Sequence, residues 1–143
     1  MADAYSAMLD LSVQLAAREA DGGRLSTAEQ IMGDIMWVDA QVCPNGFYGW
    51  LYNTSCERIK RTIPALETVG CSRVSELVRL ALEVAQLDPQ RMSDETRERQ
   101  IDSLTEADRD RLSELDGEFY NAVEQCMEIC SAFVSSHGAL FQP

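Results

Sequence analysis

Cys43-Pro44-Asn45-Gly46-Phe47-Tyr48-Gly49-Trp50-Leu51-Tyr52-Asn53 is the stretch on which the fold of this chain turns. It carries four of the ten aromatic residues together with both backbone breakers, proline and glycine. The order predicts a turn leading into a short aromatic helix, wedged between longer helices. Pro44 is expected to end the preceding helix at or just after Val42, because the residue before a proline is pushed out of the helical region. Phe47 and Trp50 read as core anchors that set how that helix meets the rest of the molecule. Nothing in the stretch assembles a catalytic pair.

On the N-terminal side, Asp3 to Ala20 fits a first helix. Tyr5, Met8, Leu9, Leu11, Leu15 and Ala16 recur at helical spacing, while Asp10, Gln14 and Arg18 face away. Gly22-Gly23 stops it. A capping box follows in one of two registers, Ser26 with Glu29 or Thr27 with Gln30. The second helix then buries Ile31, Ile35, Met36, Val38 and Val42 and carries Asp34 and Asp39.

On the C-terminal side, Asn53-Thr54-Ser55 is a polar break, and Arg58, Lys60 and Arg61 form a basic cluster. Thr62 is the expected cap of a short helix over 63–69, with Pro64 in its first turn and Gly70 at its end. Ser72 is the expected cap of the next helix, whose apolar face includes Val74, Leu77, Val78 and Ala81. Gln90 to Ser103 is so charged that a solvated helix or a partly mobile link is expected. Thr105 to Asp108 starts another helix, with acids suited to its macrodipole.

The last helix is the most regular. At 100° per residue, Leu115, Phe119, Val123, Cys126, Cys130 and Phe133 share one face. Glu114, Glu118, Asn121, Gln125 and Glu128 share the opposite one. Asp116 falls on the apolar side. Either the helix breaks there and Asp116 with Gly117 caps a fresh one, or the carboxylate reaches inward to accept backbone amides. No strand, internal repeat or low-complexity tract is read.

At 143 residues and 45% apolar content the expectation is one domain, 1–143, with a self-sufficient core. The charge is unusual: 24 acids against 12 bases give a net of −12. Residues 1–57 carry 2 bases and 8 acids, 58–99 carry 8 and 7, and 100–143 carry 2 and 9, so the negative charge collects at the two ends. That balance argues against direct nucleic-acid binding, which needs a basic patch, and against an anionic membrane surface. It suits a basic protein partner drawn in by long-range steering. Five cysteines without a Cys-x-x-Cys pair, an N-terminus without a basic n-region and the lack of a long apolar run predict a cytoplasmic chain with free thiols.

The chemical motifs are thin. Cys126 and Cys130 are one turn apart, with His137 further along the same face, so a metal or redox site is conceivable. The stripe also holds Phe119, Val123 and Phe133, and core packing is the better reading. Cys43 or Cys71 with His137 has nothing to position it as a nucleophile pair, and no glycine-rich phosphate loop is present. No catalytic residue, metal or cofactor is therefore assigned. Exposed carboxylates at i, i+3 and i+4 sit about 5–6 Å apart on a helix, and a DNA strand carries one phosphate per ~3.4 Å. Acidic helices can thus present a field of similar sign and spacing to a DNA-binding protein.

Val42, Gly46-Phe47, Trp50 and Asn53 resemble the Val-x-Asn-Gly-Gly-Phe-x-Gln-Tyr/Phe-x-x-Asn signature of a bacterial all-helical family, the DNA-mimic (DMP-type) proteins. Ala65-Leu66 with Val69-Gly70-Cys71, Leu115-Asp116-x-x-Phe119-Tyr120, and the closing stretch to His137 and Phe141 extend the likeness over about residues 28–141. Pro44, Asn45 and Gly49 depart from the pattern, standing where the family has Asn, the first Gly and Gln. The turn itself survives, since Asn45-Gly46 tolerates positive φ. The resemblance implies a helical domain, forming a homodimer, that binds protein and performs no chemistry.

Residues and resemblance together predict a compact all-α domain of six to eight helices. Its expected role is that of a non-enzymatic interaction module whose acids engage a DNA-binding regulator. Asp34, Asp39, Glu114, Glu118, Glu124 and Glu128 are the expected contact carboxylates, and Gly46, Phe47, Trp50, Asn53 and Asp116 the structural motif. The alternative is a general or immunity-like binding protein using its apolar and aromatic surface from Phe47 to Tyr52. A thiol or metal protein built on Cys126, Cys130 and His137 comes third.

Overall fold

A computed structural model describes residues 4–138 and 141. Six helices follow one another: α1 Ala4–Ala20, α2 Thr27–Asn53, α3 Cys56–Val69, α4 Ser72–Ala85, α5 Asp94–Asp102 and α6 Glu106–Ser136. There is no strand among the described residues. The all-α prediction holds. Asp3, placed at the start of the first helix, lies outside the described residues.

The 31-residue α6 is the spine. It packs against α1, α2 and α4, while α3 bridges α2 to α4 and α5 lies on α2. The reason is its apolar stripe. Leu112, Leu115, Phe119, Val123, Cys126, Met127 and Cys130 are buried, and Glu114, Glu118, Asn121, Gln125 and Glu128 are exposed, as the spacing predicts. Thr105 and Asp108 form the capping box that starts it. At the other end of the chain, Ser26 and Glu29 form the box at α2, which decides between the two registers. Glu29 is buried and also held by Arg18, whose Nη2 lies 3.0 Å from Oε1, so Arg18 turns inward from a face expected to be solvated. Leu9, expected inside, is exposed.

Pro44 does not end the second helix. The helix carries through it to Asn45, and the break falls at Gly46, with φ 70° and ψ 178°. Beyond Gly46 the chain turns back along itself. Asn53 Nδ2 donates to Gln41 Oε1 at 3.1 Å, and Trp37 Nε1 donates to Thr54 Oγ1 at 2.9 Å. Pro44 withholds one N–H from the carbonyl four residues back without ending the arm, whereas the Gly46 conformation, reserved for glycine, redirects the chain.

α3 begins at Cys56, not at Ile63, with Ser55 as its cap. Thr62 is buried inside it and donates through Oγ1 to the Arg58 carbonyl at 2.9 Å. A helix through 58–61 is favoured because Arg58 and Arg61 both grip Asp34, which requires side chains three apart on one face. Cys71, not Ser72, occupies the cap position of α4. The charged 90–103 segment contains an ordered helix, α5, capped by Ser93 and held by buried Arg97 and Ile101. No helix among the described residues is long and apolar enough to cross a membrane.

Candidate functional site

The break at Gly46 is served by two residues one turn apart on α6. Asp116 Oδ1 accepts the Phe47 N–H at 2.7 Å, so it caps the second arm of α2 from a different helix. Tyr120 donates its hydroxyl to the carbonyls of Val42 and Cys43, at 3.3 and 3.2 Å, at the end of the first arm. Asp116 therefore starts no new helix of its own, and α6 is continuous through it. Burial pushes its carboxyl above the usual range, and the Phe47 N–H only partly offsets this. A Cβ on Gly46 would stand 2.4 Å from Asp116 Oδ2, so the glycine is needed for space as well as for φ. Phe47 and Trp50 are fully buried and meet edge to face at 6.3 Å, and Phe47 meets Phe119 likewise at 5.8 Å. The Trp50 indole N–H has no hydrogen-bond partner among the described residues. This motif is an anchor. The aromatic surface that the alternative reading needs from Phe47 and Trp50 is inside the protein; of the stretch, only Tyr52 is an exposed large ring.

Two of the six predicted contact carboxylates are also inside. Asp34 is 2% exposed and bound by Arg58 Nε at 3.0 Å and by Arg61 Nε and Nη2 at 2.9 Å each. Asp39 is 3% exposed and accepts the Tyr5 hydroxyl at 2.8 Å and the Cys43 thiol at 3.2 Å. Neither carboxylate lies at the surface. The expected contact role needs them at the surface, but α2 packs against α1, α3 and α6. Burial, reinforced by the bond to Asp39, pushes the Cys43 thiol up to about 11, and burial likewise pushes the Tyr5 phenol upward. The basic cluster is internally matched too: Asp34 takes two of its cations, and the Arg58 guanidinium lies 4.8 Å over the Trp37 ring.

The other four carboxylates, Glu114, Glu118, Glu124 and Glu128, are exposed along α6. Glu114 pairs with Arg111 at 3.4 Å and Glu118 with Arg73 at 2.7 Å. Glu124 and Glu128 have no ion-pair partner among the described residues, and no base follows Arg111 in the sequence. They line a groove of about 320 Å³ between the start of α1 and α6, with Tyr5, Tyr120 and Val123. The groove therefore joins two acids to two phenol rings from the two acid-rich ends of the chain. Tyr5 and Tyr120 are not among the site residues that the sequence predicts. The signal for Tyr120 was its i,i+4 relation to both Asp116 and Glu124. For Tyr5 there was none, since its neighbours in the groove lie on the far side of the sequence.

The cysteine stripe is rearranged. Cys126 and Cys130 are buried as predicted, but His137 is exposed at the end of α6, stacked on Phe133 with its Nδ1 2.8 Å from the Phe133 carbonyl. The third group at the thiols is Cys71, from the start of α4. No cysteine is in a disulfide. Hydrogen bonds with Cys126 and Cys130 hold the Cys71 thiol well below the usual range. Bonds with Cys126 and Cys71, together with burial, push Cys130 far above it.

No curated protein and no solved structure matches the chain. A family model described as DMP19-like protein matches residues 23–137, which include α2 to α6 and both sides of the Gly46 clasp. By that match the chain belongs to the DMP19-like protein family.

Proposed function

We propose that this domain is a non-enzymatic, acidic interaction module that occupies the basic, DNA-binding surface of a regulatory protein. The observation that carries the reading is the Glu124–Glu128 step on α6, without an ion-pair partner among the described residues, beside a groove faced by Tyr5 and Tyr120. An Arg or Lys side chain entering that groove meets two carboxylates and two rings, so ion pairing and cation–π attraction act on it together. Glu114 and Glu118 add two exposed acids nearer the start of α6, outside the groove and ion-paired with Arg111 and Arg73. Of the acids expected at the contact, these four form the proposed surface. The packing of α1 on α6 supports the reading, because it joins the two acid-rich ends of the sequence.

The test is capture of a binding partner from host lysate, with salt titration and competition by duplex DNA, using wild type and the Glu124→Lys/Glu128→Lys variant. Counterion-dominated contact must weaken as salt rises, and DNA and charge reversal must both reduce capture by about 10-fold or more. Capture indifferent to salt, DNA and charge reversal would overturn the proposal.

Self-association is a second reading, favoured by one observation. Leu9 and Val13, one turn apart on α1, are 42% and 70% exposed. Sedimentation of wild type against Val13→Glu tests it: a dimer that the substitution does not dissociate rules out that face.

A further inference from the structure

Three thiols that are distant in sequence converge in the core. Cys71 stands at the cap position of α4, and Cys126 and Cys130 lie on successive turns of α6. The Cys126 and Cys71 sulfurs are 3.1 Å apart, those of Cys71 and Cys130 are 3.8 Å apart, and all three fall within 4.8 Å of one another. A tetrahedral ion with bonds of about 2.3 Å to sulfur holds its sulfurs about 3.8 Å apart, so small rotations of the side chains suffice to form a site. We propose that Cys71, Cys126 and Cys130 form a three-thiolate binding site for a single thiophilic divalent cation of the zinc class.

Three further features fit this chemistry. A pocket of about 70 Å³ reaches Cys71 and Cys126 from the side of Ser72, Arg73 and Gln125. It provides an entry path and room for one water as fourth ligand, since a water occupies about 30 Å³. All three sulfurs bind as thiolates and any thiol protons they still hold leave to solvent, so the loaded site, three thiolates with one divalent ion, carries one net negative charge. That charge sits against the N-terminus of α4, which begins at Ser72 and carries the positive end of its dipole, and near Arg73 on the pocket wall. The arrangement uses all three sulfurs. A disulfide between Cys71 and Cys126 would use two, leave Cys130 idle, and require an oxidant.

The experiment is titration of the reduced full-length chain, without an affinity tag, with Co²⁺ and then Zn²⁺. Expected are one equivalent of Co²⁺ with thiolate-to-cobalt charge-transfer absorption, its loss on adding Zn²⁺, and a rise in Tm of the wild-type protein with Zn²⁺. Cys43→Ser and Cys56→Ser, which alter the two thiols outside the cluster, should bind as wild type does. Cys130→Ser should bind at least about 100-fold more weakly, beyond the usual effect of removing a supporting group, with its fold checked by circular dichroism. No charge-transfer band and no Tm shift in the wild type would overturn the site. So would a band unchanged in Cys130→Ser, or peroxide-driven Cys71–Cys126 disulfide formation in a chain that takes up no metal.

Discussion

Gly46 shows how much can depend on a missing Cβ. Its φ of 70° and the 2.4 Å approach to Asp116 Oδ2 both exclude a side chain. Gly46→Ala should destabilise the domain by about 1–3 kcal/mol from the backbone alone, with the carboxylate displaced from the Phe47 N–H, as read by urea unfolding. Asp116 carries a prediction of opposite character. Its carboxyl is raised by burial, so its contribution is fully present below the unfolded pKa and is lost as pH rises through the folded one. Asp116→Asn keeps an acceptor for Phe47 without the buried charge. It should therefore equal or exceed wild type at pH 7, and its advantage should vanish in acid. Asp116→Ala, which removes the cap, should lose roughly 0.5–2 kcal/mol. An Asn variant less stable than the Ala variant at neutral pH would contradict this account. Trp50→Ala should cost about 3–5 kcal/mol, because a fully buried indole leaves a cavity beside Phe47. Retained folding with lost partner binding would instead make the stretch a site.

At the scale of the element, the departures of the 43–53 stretch from the family signature are coupled. A Cβ on Gly49 would stand 2.3 Å from the Asn45 Cβ, so side chains at 45 and 49 exclude each other. The family carries Gly at the first position with Gln at the second; this chain carries Asn45 with Gly49. Gly49→Gln alone should destabilise by about 1–3 kcal/mol, as overpacking does. Asn45→Gly added to it should recover most of that loss, giving a coupling of at least about 1 kcal/mol in a double-mutant cycle. Additive losses would show that the two positions do not interact. α5 makes a related point. Its composition reads as solvated, yet Arg97 is buried and donates through Nη2 to the Tyr52 carbonyl at 3.0 Å and through Nη1 to Asp94 Oδ1 at 2.6 Å. The same Asp94 oxygen accepts the Cys56 N–H at 2.7 Å. Two charged residues of one short helix thus close the end of α2 and the start of α3, matching the helix dipoles at both ends. Neither role leaves a trace in the local pattern, because the partners lie 38 and 45 residues away.

For the whole molecule, acid sensitivity follows from the buried and bridging carboxylates. Burial raises the Glu29 carboxyl, but hydrogen bonds from Arg18 and the Ser26 N–H outweigh it and hold it low. The Cys56 N–H holds Asp94 low. Both folded values lie below the ordinary 4.5 and 3.8, so their stabilisation is present above those values and is lost as pH falls through the folded ones. The urea midpoint should therefore drop below about pH 4, and Glu29→Gln should flatten the drop while lowering stability near neutrality. A midpoint flat down to pH 3 would mean that these contacts do not form in solution.

The sequence by itself determined the helical class, a capping box at the start of α2 in one of two registers, a helix start at Thr105, and the stripe of α6 with its exposed glutamates. Each depends on residues within one or two turns, where side-chain spacing and cap chemistry operate. It also marked Gly46, Phe47 and Trp50 as the pivot, since a proline–glycine break among aromatics has few other uses. Only the tertiary structure decided which acids are surface and which are core: Asp34 and Asp39 are drawn inward by Arg58, Arg61 and Tyr5. It also decided what Asp116 caps, and that Cys71 rather than His137 joins Cys126 and Cys130. Those pairings span 55 to 69 residues in the Cys126–Cys71 and Phe47–Asp116 contacts. They arise from the packing of α2 and α4 on α6, and no spacing rule along the chain encodes that packing.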